Sequence, residues 1–136
     1  MSTNLEDIEA KIISLLTANG DLKAIYLYGS VLTEYFNKES DIDIALLLNE
    51  KLDSKALFDL SAQLSFALKR DIDLVQLDKV STVLQFQIIQ TGKRIFCKDT
   101  IFCNRYESQI FCAYVELNEM RKPYLDEIKK TGKVLN

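Results

Sequence analysis

The feature that most constrains this chain is Asp41-Ile42-Asp43, two carboxylates at the mouth of an apolar run, residues 44–48. A short apolar run bounded by polar segments reads as a buried strand. Successive side chains of a strand point to opposite faces, so Asp41 and Asp43 fall side by side on one face. Two carboxylates that close repel each other, and a fold accommodates them by sharing a proton or binding a cation. Upstream, residues 24–28 form another apolar run that stops at Gly29-Ser30. Gly29 lets the backbone turn sharply or approach a ligand, and Ser30 offers a hydroxyl and an N–H to phosphate oxygens. Each element alone is commonplace: a Gly-Ser after a strand is usually a turn, and an Asp-x-Asp is usually a solvated strand end. Ten residues apart and between two strand-like runs, they form the minimum apparatus for phosphoryl or nucleotidyl transfer, a phosphate cradle beside metal-binding carboxylates.

What the chain lacks narrows the chemistry further. It contains no histidine, which excludes Ser-His-Asp and Cys-His catalysis and any His-bearing zinc site. Cys97, Cys103 and Cys112 show no C-x2-C spacing and are expected to be buried, reduced thiols. Carboxylate, hydroxyl, amine and guanidinium remain, an inventory that suits magnesium-dependent transfer. A net charge of −3 argues against a surface built chiefly for nucleic acid, so no direct nucleic-acid contact is expected. No basic-then-apolar leader is present, and no apolar run approaches the ~18 residues of a membrane span. A cytoplasmic protein with no membrane contact is the expectation. At 136 residues the chain is expected to form one domain with a core of its own.

The remaining elements follow from periodicity. Thr3-x-x-Glu6 forms a capping box for a helix with Leu5, Ile8, Ile12, Leu15 and Leu16 on its apolar face, stopped by Asn19-Gly20. A strand at 23–28 follows, and residues 31–36 suit a short helix whose N-terminus would point N–H groups at a bound phosphate. Residues 37–40 are polar loop. Asp53 or Ser54 can cap a helix running to about Lys69, with Ala56, Leu57, Leu60, Leu64, Ala67 and Leu68 at helical spacing. Residues 70–77, RDIDLVQL, read as another strand with an acidic start. Ser81 caps a shorter helix that Gly92 ends, and residues 93–97 form a fourth strand. From Asp99 or Thr100 the chain is expected to stay helical to about Lys130, buried along Tyr106, Ile110, Ala113, Leu117 and Met120 and continuing through Tyr124 and Ile128. Pro123 predicts a kink or break near residues 119–122, and Gly132 ends the helix before a frayed tail. Helices alternating with strands over short connections indicate an α/β fold, a small mixed sheet flanked by helices with a core at about 5–97 and a C-terminal helical segment at about 99–131.

The pattern G-S-x10-D-x-D resembles the signature of the DNA polymerase beta-like nucleotidyltransferase superfamily. It looks most like the minimal, MNT-type branch, in which LFGS and SDIDLA are typical; here the segments are LYGS and SDIDIA. The resemblance covers roughly residues 5 to 97 and implies a minimal nucleotidyltransferase fold. Superfamily members take a third carboxylate from a neighbouring strand in the setting h-D-h-V. Here that setting is Ile72-Asp73-Leu74-Val75, making Asp73 the candidate and Asp71 its less suitable neighbour; the plain alternative leaves both as surface residues at a strand edge. Carried over, Gly29 and Ser30 would hold the triphosphate of ATP, and Asp41, Asp43 and Asp73 would bind Mg2+. Asp73 would also help activate the attacking hydroxyl. The chain departs from the common GSRARG form with Val31-Leu32-Thr33-Glu34, which leaves no arginine there to clamp phosphate; Lys38, Lys69 and Arg70 are the candidates to replace it.

Members of this branch occur as antitoxins of HEPN-domain ribonuclease toxins and resemble AMP transferases that modify a toxin tyrosine. The resemblance therefore implies a type VII-like antitoxin, a protein adenylyltransferase that moves AMP from ATP to a tyrosine of its cognate HEPN toxin. A non-catalytic toxin-binding module and a transferase acting on a small, aminoglycoside-like molecule are the alternatives. Three intact carboxylates favour an enzyme over the first, and the small size favours a protein acceptor over the second. The Tyr- and Phe-bearing C-terminal helix is the candidate docking surface.

Overall fold

A computed structural model of the chain describes residues 5–18, 22–49 and 52–131, with side chains described as far as residue 120. Thr3 of the capping box, the Asn19-Gly20 stop, Gly132 and the tail lie outside the described residues, as do the side chains of Tyr124 and Ile128. The elements run α1 (Leu5–Thr17), β1 (Leu22–Tyr28), β2 (Ile42–Leu48), α2 (Ser54–Leu68), β3 (Ile72–Gln76), α3 (Thr82–Thr91), β4 (Lys93–Cys97) and α4 (Thr100–Thr131). The four strands form one sheet in the order β3-β2-β1-β4. β1 is antiparallel to β2 and to β4, while β2 and β3 are parallel. A parallel pair needs a crossover element, and α2 supplies it.

Helices cover both faces of this sheet, which is why β1 and β2 read as near-continuous apolar runs. On one face Ile25, Leu27, Ile42, Ile44, Leu46 and Leu74 pack with Ile8, Ile12 and Leu16 of α1 and Leu64 and Leu68 of α2. On the other, Ala24, Tyr26, Ala45 and Leu47 pack with Ile88 of α3 and Cys103 and Ile110 of α4. The caps sit at polar residues that satisfy free helix N–H groups. Asp53 Oδ1 accepts from the Ala56 N–H at 2.7 Å, Ser81 Oγ from Leu84 at 3.2 Å and Asp99 Oδ1 from Phe102 at 3.1 Å.

Five expectations need correction. Of the three cysteines expected to be buried only Cys103 is, Cys97 being half-buried and Cys112 exposed on α4. The helix expected over 31–36 is a single 3-10 turn, Gly29–Leu32. Thr33 ends it: its backbone N–H and its hydroxyl both donate to the Ser30 carbonyl, at 3.0 and 2.8 Å, a local bond that competes with helix continuation. The acidic strand is shorter than 70–77, because Leu77–Lys79 forms a second 3-10 turn. No break occurs near residues 119–122; α4 is helical from Thr100 to Thr131, since neighbouring turns carry the helix past the one N–H that Pro123 lacks. The buried line of α4 also differs. Ile110 is buried, Tyr106 and Leu117 are half-buried, and Ala113, Met120 and Cys112 are exposed. Tyr114 takes the place given to Ala113, stacked on Phe86 with ring centroids 3.8 Å apart. The line follows contact with α3, and the described side chains beyond Leu117 are exposed.

A polar network ties α4 to the sheet. The Tyr26 hydroxyl donates to Glu107 Oε2 at 2.7 Å, and Arg94 of β4 donates to the same oxygen at 2.5 Å. Burial, then the Glu107 carboxylate, push the Tyr26 phenol far above its ordinary value. Glu107→Ala strands a buried phenol and a guanidinium together, so it is expected to cost about 2 kcal/mol. A urea midpoint lowered at constant slope is the measurement that checks it.

Candidate active site

The strand register brings the acidic residues together. Tyr28 is the partner of Asp43 across β1 and β2, and Asp43 is the partner of Asp73 across β2 and β3. Registered partners on adjacent strands share a face. Tyr28, Asp43 and Asp73 therefore form one row across three strands, on the face that carries α3 and α4. The row lies at one end of the sheet, where β1 finishes and β2 and β3 begin. Asp41, immediately before β2, continues it outward by the two-residue repeat. Asp41 and Asp73 are exposed and Asp43 is half-buried. Asp71 precedes β3; its carbonyl accepts the Ile42 N–H at 3.0 Å, joining the starts of the two parallel strands.

The turn after β1 closes directly on this row. Gly29 has φ +80°, and a Cβ built there would stand 2.3 Å from Asp43 Oδ2. Only glycine adopts that backbone freely and leaves room for the carboxylate. Ser30 is exposed at the start of the same turn. The electrostatics register the crowding. Burial, then the charges of Asp73 and Asp41, hold the Asp43 carboxyl above its ordinary value. Burial, then Asp73 and Asp43, push the Tyr28 phenol up to about 12. A half-buried carboxylate opposed by two others is poised to accept positive charge.

Of the basic residues proposed for the triphosphate, Arg70 has another task. It donates to the carbonyls of Asn37 and Ser40, at 2.6 and 3.1 Å, and its guanidinium lies 4.4 Å from the centre of the Phe36 ring. It thereby holds the loop that delivers Asp41. Lys38 and Lys69 line a depression with Arg70, Ser40 and Asp71 and with Ser65 and Phe66 of α2, the helix that covers the face opposite the acidic row. None of the row's own residues lines it.

Among the described residues, no three His, Cys, Asp or Glu side chains are gathered closely enough to cage a metal ion by themselves. The donors nevertheless fit a hard divalent cation. Mg2+ is held by one or two carboxylates and completed by substrate phosphates and water rather than by an all-protein cage. An open row of carboxylates beside a glycine turn has that form, and the mutual repulsion that raises Asp43 is what a cation would relieve.

Gly29, Ser30, Asp41, Asp43 and Asp73 thus lie at one end of the sheet, with Asp43 in the middle. Sequence reasoning missed one member of the site and gave another the wrong task. Tyr28 belongs to the row, and the signal was its two-residue spacing from Tyr26, which puts both on the face opposite Leu27. Arg70 belongs as a tether, and nothing in the sequence distinguished that from a phosphate contact.

With this geometry in hand, one family match and three likenesses to known proteins are informative. Residues 10–101 match the family described as Polymerase beta, Nucleotidyltransferase. The chain is 37% identical over 124 residues to the protein adenylyltransferase MntA of Shewanella oneidensis, covering 88% of this chain and 86% of that protein. It superposes on a toxin–antitoxin crystal structure with AMP-PNP at a TM-score of 0.79 and 35% identity, over 89% of this chain and 98% of the other. A complex of a tri-AMPylated Shewanella oneidensis HEPN toxin with its MNT antitoxin gives a TM-score of 0.76 at 35% identity, over 91% and 98% of the two chains.

Proposed function

Because the chain belongs to the polymerase beta nucleotidyltransferase family, we propose that it is the antitoxin of a HEPN toxin and acts by moving AMP from ATP onto a toxin tyrosine. One observation carries the reading: Asp43 is flanked in register by Asp73 and closed upon by Gly29, so carboxylates and phosphate turn address the same space. The likeness to an adenylyltransferase that covers most of both chains supports AMP as the group transferred. The likeness to an antitoxin beside its AMPylated HEPN toxin supports the acceptor. Among the described residues no helix is long and apolar enough to cross a membrane, in keeping with a cytoplasmic site of action.

In this mechanism Gly29 and Ser30 receive the triphosphate, whose oxygens meet the turn's N–H groups and the Ser30 hydroxyl. Asp41 and Asp43, joined by Asp73, would hold Mg2+. When bound, the cation neutralises phosphate charge and fixes the in-line arrangement. Asp73, exposed at the β3 edge of the row, faces the incoming acceptor and takes its phenolic proton as the oxygen attacks the α-phosphate. Arg70 keeps the 37–40 loop in place, and with it Asp41. Orientation of this kind accounts for a large share of such a rate enhancement.

The test is to mix the protein with its HEPN partner, ATP and Mg2+ and weigh the partner by mass spectrometry. The expected result is a partner heavier by whole AMP units. An unchanged mass, together with full neutralisation of the toxin by Asp41→Ala, would replace this reading with simple binding.

A further inference from the structure

We propose that Tyr28 is a second acceptor, and that with no partner seated the site transfers AMP from ATP to the phenol of its own Tyr28. The inference rests on the adenylyltransferase reading and extends it to a modification site on the enzyme itself. Tyr28 stands in register with Asp43, which stands in register with Asp73. A tyrosine side chain is longer than the ~4.8 Å step between strands, long enough for a phenol on β1 to reach the space over β2. Asp73, the carboxylate proposed to take the acceptor's proton, is the next member of that registered row beyond Asp43. There the acceptor hydroxyl is required.

The phenol is also uncommitted. Its ring is half-buried against the Tyr26–Ile88 cluster, while its hydroxyl has no hydrogen-bond partner among the described residues. The other described tyrosines are differently placed. Tyr26 donates to Glu107, Tyr114 lies on Phe86 and Tyr106 on Phe102. Tyr35 stands outside the row, 76% exposed on the loop. Among the described tyrosines only Tyr28 shares the row of carboxylates, and it carries the same functional group as the proposed acceptor.

The step balances as an ordinary nucleotidyl transfer. Tyr28 Oη forms a bond to the α-phosphorus of ATP, the bond from that phosphorus to the bridging oxygen breaks, and pyrophosphate leaves. The phenolic proton passes to the Asp73 carboxylate and then to solvent. The product is an AMP ester on Tyr28 that fills the acceptor position.

The experiment incubates the full chain alone with ATP and Mg2+, weighs it intact and maps the modified peptide. The expected product is one AMP per chain, on Tyr28, absent from Tyr28→Phe and from Asp43→Asn. Tyr28→Phe keeps the ring and surrenders no hydrogen bond, and an unchanged melting temperature confirms its fold. An unlabelled chain in a preparation that labels its HEPN partner would overturn the proposal and leave the adenylyltransferase reading standing. AMP on another tyrosine, or retained by Tyr28→Phe, would overturn it equally. If neither the chain nor its partner gains AMP, the adenylyltransferase reading falls and the self-modification falls with it.

Discussion

Asp43→Asn is expected to abolish AMP transfer while leaving the protein at least as stable as the wild type. The two halves of that result have one cause. Asp43 is half-buried beside Asp73 and Asp41, and burial, then those two charges, raise its carboxyl above the ordinary 3.8. A carboxyl whose folded-state pKa lies above its unfolded value opposes folding once ionised. The stability contributed by its proton is present below about pH 3.8 and is lost as pH rises through the raised value. Asparagine keeps the shape and removes the charge. The variant should melt higher than the wild type at neutral pH without divalent cation, and its stability should vary less across that acid window.

Transfer responds in the opposite direction. The amide is a poor ligand for a hard cation, and losing several kcal/mol of charge stabilisation, about 4, lowers the rate about a thousandfold. Thermal melts supply a reading independent of activity. Mg2+ at 100 times its dissociation constant adds about 2.7 kcal/mol to a protein that binds it only when folded, so it should raise the wild-type melting temperature and leave the variant's nearly unchanged. A variant that labels the HEPN partner as fast as wild type would remove Asp43 from the mechanism.

Much of this site was legible because it depends on short-range rules. The i, i+2 alternation put Asp41 and Asp43 on one face, and the same rule put Asp73 opposite Leu74, whose side chain lies in the α1–α2 cluster. The order of helices and strands was legible for a similar reason: each apolar run ends at a turn residue or a cap that the structure uses, such as Asp53, Ser81 and Gly92. What could not be read is set by tertiary contact. The alignment of Asp43 with Asp73 depends on the register of two strands 30 residues apart, and no local pattern fixes it. Arg70 looked like a phosphate ligand because a free guanidinium and one that ties a loop have the same sequence. The stripe on α4 was off line because which side of a helix is buried depends on where α3 lies. The short helix expected after Ser30 failed on one side chain, since the Thr33 hydroxyl offers the Ser30 carbonyl a bond at 2.8 Å that propensity does not count.

Gly29→Ala is expected to damage both stability and transfer, and that combination distinguishes it from Asp43→Asn. Two penalties fall on the one methyl group. The backbone at φ +80° lies in the left-handed region, which costs an L-residue with a Cβ about 1–2 kcal/mol. The new Cβ would also stand 2.3 Å from Asp43 Oδ2 and 3.3 Å from its Cγ, so the carboxylate must swing aside. A misplacement of about 1 Å in such a group costs about a hundredfold in rate, and the displaced group here is the one at the centre of the row. The penalties can be separated. Replacing Asp43 by Ala removes the atoms the methyl group strikes but leaves the backbone strain, so Gly29→Ala should destabilise an Asp43→Ala background by only about 1–2 kcal/mol, and less than it destabilises the wild type. Urea midpoints of the four proteins in that cycle give the coupling directly. Additive losses would mean that Gly29 does not pack against Asp43. Gly29→Ala with wild-type stability and wild-type transfer would mean that the turn does not need its left-handed backbone at all.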